Sequence, residues 1–500
     1  MRRFDMKHFS TRFLVIVSLL TLLFFNLSSL TAFAAKHEKK AKAAKETPID
    51  RWAANPKASF DIKKMGDMSD FDPSNPIVPT GDTFKIAVVA SHSGPAAIVG
   101  QLMWFNIQWV AHDYNKRGGI MVDGKKKLIE VIKADHAGKI DQVKKVCERM
   151  VLQEKVNVLW GTDGSHLMKV INETANKYKI IAINGVTLAD DLQDATNFSR
   201  YAFQVSFSNS QVGRALAYYY GQIRKKEKKF YILCQDFGAG HDIAAGFKRG
   251  LKEYYPDAQI VGEDYHKLFI TDFAPYLEKV KASGAEVIFT GDFPPDSPNI
   301  LKQARQMNIM IPIANNYLDN PDVLHATGVE GTKGLVNVTS WSVGNPHYKL
   351  PDHIKLEKIW TDLQKNKWKS PPYNQMKSFE HFAGSYGTWT QTLYWFLSIV
   401  ERAKVSDPEK IIALWENDTY KAINGKVYKM RACDHKVIQD LAVSEFVPPE
   451  EQKISYNLPP YYWFKGISFY GPTYPIPAGK VLPWMDQKLD RCTGKNEWGE

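Results

Sequence analysis

The chain has 500 residues, 44% of them hydrophobic and 24% charged, with a formal net charge of +11. That apolar content can fill a sizeable core, which excludes a disordered chain, and the length suits two or three domains. The lysines are scattered apart from one run at 36–46, so the charge reads as solubility, with attraction to an anionic surface or ligand, and no nucleic-acid partner is expected.

The first residues carry an export pattern. Arg2, Arg3, Lys7 and Arg12 precede an apolar run at 13–25, and small residues follow at Ala32 and Ala34. Basic, apolar, then small-x-small is the order of a secretory signal peptide, with cleavage expected after Ala34 and delivery to the periplasm. Removing 1–34 leaves a charge of about +8. The apolar run is short for a membrane span, and no Cys marks a lipid anchor.

Residues 35–81 begin charged and turn rich in Pro, Asp and Met without a period, so a loose extended arm is expected. From Phe84 the pattern changes. FKIAVVA (84–90) reads as a buried strand. Ser91–Gly100 is a turn opening a helix, with Ser93 suited to the N-cap. Strands then alternate with helices through 185: strands at 128–135, 156–161 and 180–185, helices at 101–115, 140–153 and 165–178. A second such series runs from 208 to 338, with helices at 208–226, 240–255, 272–284 and 297–308. Its strands fall at 230–236, 259–266, 285–291, 309–314 and 334–338. Alternation of this kind implies two α/β units with parallel sheets covered by helices. From 348 the chain turns helical, 425–447 reads as a β-ribbon, and 448–500 reads as an irregular Pro- and aromatic-rich tail.

The four cysteines allow three pairings. Cys147 falls in a helix and Cys234 in a strand, which suits buried thiols. Cys433 with Cys492 is the favoured pair, because both lie late and would pin the tail. No CxxC or Cys/His cluster has zinc-like spacing, and neither metal nor cofactor is expected.

The series FKIAVVASHSGPAAIVG, NKRGGI, GTDGSH, YAFQVSFSNSQVGRALA, FYILCQDFGAGHDIAAGFKRGLKE, TDFAPYLEKVKASGAEVIFTGD, LKQARQMNI and RACDHKVIQDLAV resembles the type I periplasmic binding proteins over about residues 84–447. It is similar in particular to the branched-chain amino acid and amide branch that serves ABC importers. The resemblance implies an α/β fold of two Rossmann-like lobes joined by a three-strand hinge, with the ligand cleft between them. Lobe 1 would hold 82–204 plus 342–424, and lobe 2 would hold 205–338 plus 426–447. It also implies a small-molecule ligand, an inner-membrane ABC permease as partner, and a monomer.

Ligands of open α/β sheets bind outside the carboxyl ends of the strands. The expected contacts therefore lie on the loops beyond those ends. In lobe 1 these are His92 and Ser93, then Gly164, Ser165 and His166, then Val186 and Thr187. Ser165 matches the family position whose hydroxyl and backbone grip a carboxylate. In lobe 2 they are Phe237, Phe293 and Tyr317. The amino acid binders carry aromatics near the positions of Val99 and Ala239 and an acid near that of Tyr317, so these departures weaken an α-amino acid ligand. An aromatic cleft suits a flat or apolar acid, or an amide; Trp341 would add to it, whereas Trp104 suits the core.

Enzyme motifs are missing. GISFYG (466–471) fails the spacing of a nucleophile elbow, and there is no HExxH or Walker loop. Binding needs no nucleophile, so a non-enzyme is expected. Two rivals stand: a sensor passing ligand state to a signalling partner, and an exported enzyme using Asp163, His166 or Asp434–His435.

Overall fold

The computed structural model describes residues 53–94, 96–320, 324–340, 351–375, 387–451, 466–483 and 488–495. The leader at 1–34, Trp341 and the PPYYWF run at 459–464 lie outside these residues. All the sheets and helices named below belong to one compact unit that begins at Pro56.

Strands that are apolar at nearly every position belong inside parallel sheets covered on both faces. Here β1 (Phe84–Ala90) is such a strand, and all but one of its residues are buried. Four more join it: β2 (Ile129–Asp135), β3 (Val158–Gly161), β4 (Ile181–Asn184) and β5 (Ala202–Gln204). They form a wholly parallel sheet in the order β2-β1-β3-β4-β5. Helices α1 (Ala97–Lys116), α2 (Ile140–Leu152) and α3 (Ser165–Tyr178) connect the strands.

The second sheet uses β6 (Lys229–Gln235), β7 (Gln259–His266), β8 (Val287–Phe289), β9 (Ile313–Asn315) and β10 (Val336–Thr339). Its order is β7-β6-β8-β9-β10, all parallel, and two antiparallel strands extend it: β11 (Leu441–Val447) and β12 (Phe469–Ile476). Its helices are α4 (Asn209–Tyr218), α5 (Gly238–Tyr254), α6 (Ala274–Ser283) and α7 (Asp296–Gln306). A Cβ on Gly213 would lie 2.3 Å from the Phe247 nitrogen and one on Gly246 2.7 Å from the Ser210 Cα, so α4 and α5 pack backbone to backbone. The expected helix at 208–226 is shorter than its apolar pattern: α4 ends at Tyr218 and a π-helical turn occupies Tyr219–Arg224. The chain passes from the first sheet to the second after Gln204, and from a strand of a small four-stranded sheet at Val437–Ile438 to β11 (Leu441–Val447). Helix α8 (Pro351–Asn366) precedes α9 (Gly387–Ala403) and α10 (Pro408–Trp415).

Three expectations are corrected. The arm is not loose over its described part. Ala58–Ser59 adds a strand to a small sheet with Thr419–Lys421, Val427–Met430 and Val437–Ile438. Ile62, Met68 and Phe71 are buried in the main core. The ribbon at 425–447 is split, two strands joining that small sheet and β11 joining the second large one. The tail is not wholly irregular, because β12 pairs along β11 and covers its edge. An uncovered edge strand would expose unpaired N–H and C=O groups, which β12 satisfies. Cys433 and Cys492 form a disulfide with Cα atoms 5.3 Å apart, while Cys147 and Cys234 are buried thiols.

Candidate ligand-binding site

Every parallel strand of both sheets ends on a loop, and the first-sheet loops are tied to one another. Asp163, after β3, accepts the Ser91 N–H (2.9 Å) and hydroxyl (2.7 Å) after β1. Asp135, at the end of β2, accepts the His92 N–H (2.9 Å) and the Ser93 hydroxyl (2.6 Å). Burial alone would raise Asp135, but the bonds from Ser93, Ala137 and His92 outweigh it and hold its carboxyl below the usual range. Ser93 therefore does not cap α1, as its place in the sequence suggested. The helix starts at Ala97, so Ala96 stands at the N-cap and there is no side-chain cap, while the Ser93 hydroxyl donates to Asp135.

His92 donates from Nε2 to the Val88 carbonyl (2.9 Å), and its Nδ1 is buried without a partner among the described residues. Burial lowers its pKa, so the ring is neutral at neutral pH and Nδ1 is an acceptor facing no donor among the described residues. Trp104 is buried and meets His92 edge-on, with ring centroids 6.3 Å apart.

Gly164 stands at the N-cap of α3, so Ser165 is the first helical residue and not its cap. The first intrahelical bond runs from Met168 N–H to Gly164 O (2.9 Å), which leaves the N–H groups of Ser165, His166 and Leu167 ahead of it. Ser165 is half-buried and its hydroxyl makes no bond among the described residues; His166 is exposed. Thr187 is buried. Its backbone is held by Asn184 at 2.9 Å on each side, and its hydroxyl has no partner among the described residues. Val186 is half-buried on the same turn.

On the second sheet, Phe237, Phe293 and Tyr317 sit on the loops after β6, β8 and β9. All three are half-buried. Phe293 is central, 5.8 Å from Phe237 and 6.4 Å from Tyr317 by ring centroids. Sequence reasoning missed Phe269, which is exposed and lies 5.9 Å from Phe293. The apolar triplet Leu268–Ile270 directly after a strand was the signal for it. It also missed Asp319, half-buried beside the Tyr470 hydroxyl (3.1 Å) and raised to about 6 by burial. The two groups are separate in this structure. Among the described residues no hydrogen bond or ring contact joins Ser93, Ser165 or Thr187 to Phe237, Phe293 or Tyr317.

Asp434 and His435 do not act as a pair. Asp434 is buried against Arg431, and His435 bridges the Ala202 carbonyl (3.1 Å) and Glu416 (3.0 Å) while stacking on Phe203. Both hold the crossing segment in place.

One titrating group sits where the sheets meet. Asp242, in the first turns of α5, accepts the Asp190 N–H from the first-sheet side. Burial, then the Asp190 and Asp191 carboxylates, push it up to about 7, with Lys436 acting the other way. An acid raised in the folded state keeps a proton that the unfolded chain has lost. Its share of stability is therefore present at low pH, falls as pH rises from about 4 to 7, and is absent above. Asp242→Asn should raise the melting temperature at pH 8 and change it little at pH 5; equal changes at both would contradict the shift.

Two parallel α/β sheets with ligand-capable loops at their strands' carboxyl ends define a two-lobed binding fold. Residues 83–451 match the family model for periplasmic binding proteins, and the chain belongs to that family. Its members are binding proteins. An amino acid binding protein of Pseudomonas aeruginosa is 28% identical over 228 residues, which cover 45% of this chain and 58% of the relative. A Leu/Ile/Val-binding protein homolog of Brucella abortus is 23% identical over 48% of this chain and 58% of its own length. The chain thus spans 58% of the length of each of these curated relatives. In fold it is similar to a Burkholderia mallei periplasmic binding protein, with a TM-score of 0.64 and 21% identity over 82% of this chain and 98% of that one. It is also similar to a solute-binding protein of R. palustris in complex with 4-hydroxybenzoate, with a TM-score of 0.62 and 21% identity over 79% and 97%. No described helix is long and apolar enough to cross a membrane.

Proposed function

We propose that this chain is an exported solute-binding protein of an ABC importer, and that its ligand is a small aromatic or apolar carboxylic acid. The reading rests on one pairing: free N–H groups and an unbonded hydroxyl at Ser165 on the first sheet, and an aromatic group centred on Phe293 on the second. A helix N-terminus with exposed donors suits a carboxylate. Half-buried rings suit a flat apolar body. In this reading residues 1–34 direct export and are cleaved after Ala34. Lobe 1 comprises 82–204 plus 342–438, with the small sheet, lobe 2 comprises 205–338 plus 441–447 with β12 added, and the inner-membrane permease receives the closed form. The acid binds first through Ser165, with Thr187 and the His92–Ser93 loop around it. Hinge closure then brings Phe237, Phe293 and Tyr317 onto its other face.

A thermal-shift panel tests this. A ligand at about 100 times its Kd stabilises the native state by about 2.7 kcal/mol. Benzoate and hydroxybenzoates are expected to raise the melting temperature of the wild type, leucine to do so less, and Ser165→Ala to lose most of the benzoate shift. A larger shift with leucine, or a benzoate shift unchanged in Ser165→Ala, would refute the assignment.

A further inference from the structure

Three side chains to which ligand binding gives no task meet inside the second sheet. His266 ends β7, Asp292 follows β8, and Asp296 opens α7. All three are fully buried. One metal-capable atom from each lies within 4.8 Å of the other two.

Their surroundings are organised. His266 Nδ1 donates to the Lys267 carbonyl (2.9 Å), which turns Nε2 toward Asp292 Oδ2 at 2.6 Å. Asp292 Oδ1 accepts the Gln235 N–H (2.7 Å). Asp296 Oδ2 accepts the Gln235 side-chain amide (2.7 Å) and the Phe269 N–H (3.0 Å). Asp296 Oδ1 is buried and has no partner among the described residues. Among the described residues His266 is the only basic side chain paired with Asp292, and none is paired with Asp296.

Buried charges are paired or coordinate metals, and an unbonded buried carboxylate oxygen is costly. A ring that gives its other N–H to a backbone carbonyl, beside carboxylates held by amide donors, is the usual outer shell of a metal site. The donor set narrows the ion. Calcium and magnesium favour cages of oxygen, whereas imidazole with carboxylates suits zinc and its neighbours.

We propose that His266 Nε2, Asp292 Oδ2 and Asp296 Oδ1 bind one divalent transition-metal ion, best matched by zinc. Zinc holds such ligands at about 2.0–2.2 Å, so ligand atoms on one ion stand about 3–4 Å apart. The His266–Asp292 pair, at 2.6 Å, would open and the remaining separations, all within 4.8 Å, would close toward that spacing. The ion replaces the His266–Asp292 hydrogen bond, and the proton shared there is released. Asp292 and Asp296 bracket Phe293, so a bound ion would brace the loop that carries the central ring of the candidate site. The site does not depend on the ligand assigned above.

The test uses the untagged chain stripped with a chelator and equilibrated with zinc. The expected result is one zinc per chain, with a rise in melting temperature that saturates at one equivalent and does not occur with calcium or magnesium. Asp296→Asn should weaken zinc binding at least tenfold, while His241→Ala, at an exposed histidine, should leave it unchanged. No stoichiometric zinc, or wild-type binding by Asp296→Asn, would overturn the proposal. Zinc-edge X-ray absorption on the wild type decides the matter even if the variant fails to fold. One imidazole with oxygen neighbours supports the site, and sulfur or several imidazoles would exclude it.

Discussion

Asp113→Ala should lower the unfolding free energy by about 3–5 kcal/mol, the cost of breaking a buried charge pair from one side. Asp113 is fully buried in α1. It accepts the Arg117 Nε–H at 2.8 Å, with a second bond from Nη2, and also the Tyr394 hydroxyl (2.7 Å) and the Gly66 N–H (2.6 Å). One carboxylate thus joins three parts of the chain: the arm, α1 and α9. Alanine would leave a half-buried guanidinium, a buried phenol and a backbone N–H without their acceptor. Arg117 also lies 4.6 Å over the Tyr114 ring and cannot swing to water without losing that contact. Asp113→Asn would keep an acceptor but lose the charge, and should cost less than alanine. Denaturant unfolding measures the difference. A loss below about 1 kcal/mol would mean that Arg117 rehydrates freely and that the network is not a tie.

Phe71→Ala is expected to cost about 3–5 kcal/mol, from lost burial and the cavity left behind. Phe71 is 1% exposed. Its ring meets Trp109 at 5.2 Å, His112 at 5.3 Å and Phe105 at 5.8 Å, and its carbonyl accepts the Trp368 indole N–H at 3.0 Å. Trp368 and Trp360 then pack on Phe105 at 4.9 and 4.6 Å. The arm is thus a wedge in an aromatic cluster that joins α1 to α8. The variant should also speed proteolysis within 56–81, because the arm depends on this anchor. Loss of stability with the arm still protected would place the damage in the cluster alone. Asp113→Ala and Phe71→Ala both release the arm, so the double variant should cost less than their sum.

The alternation of strands and helices was legible because each element reports its own burial. FKIAVVA, FYILCQD and AEVIFTG are apolar runs bounded by turn residues, and each is a strand of a parallel sheet. The helices were legible by their faces, with errors at the ends. Helix α4 stops at Tyr218 although the apolar pattern runs on to Ile223. Ser93 looks like a cap in the sequence but bonds Asp135.

The candidate site was legible as a set of loops, since parallel strands place their carboxyl ends on one side. Ser165 and Phe293 could be named on that ground. Phe269 carried a signal in the apolar triplet Leu268–Ile270, but Asp319 and the Asp242–Asp190 contact carried none, because their places depend on how separate elements pack.

The sequence by itself determined the two α/β series, the order of their strands along the chain, and membership of a binding-protein class without enzyme motifs. The two series and their order follow from periodicity and turn chemistry, which act within about 20 residues, whereas the class follows from the resemblance of the whole series of segments to a known family. Tertiary structure alone decided that Ala58–Ser59 pairs with Thr419–Lys421, that Phe469–Ile476 extends the second sheet, and that Asp113 ties the arm to α9. It also decided that His266, Asp292 and Asp296 share one buried point. A side chain's nearest partner across the chain is set by which faces pack and in what register, and no local pattern encodes that.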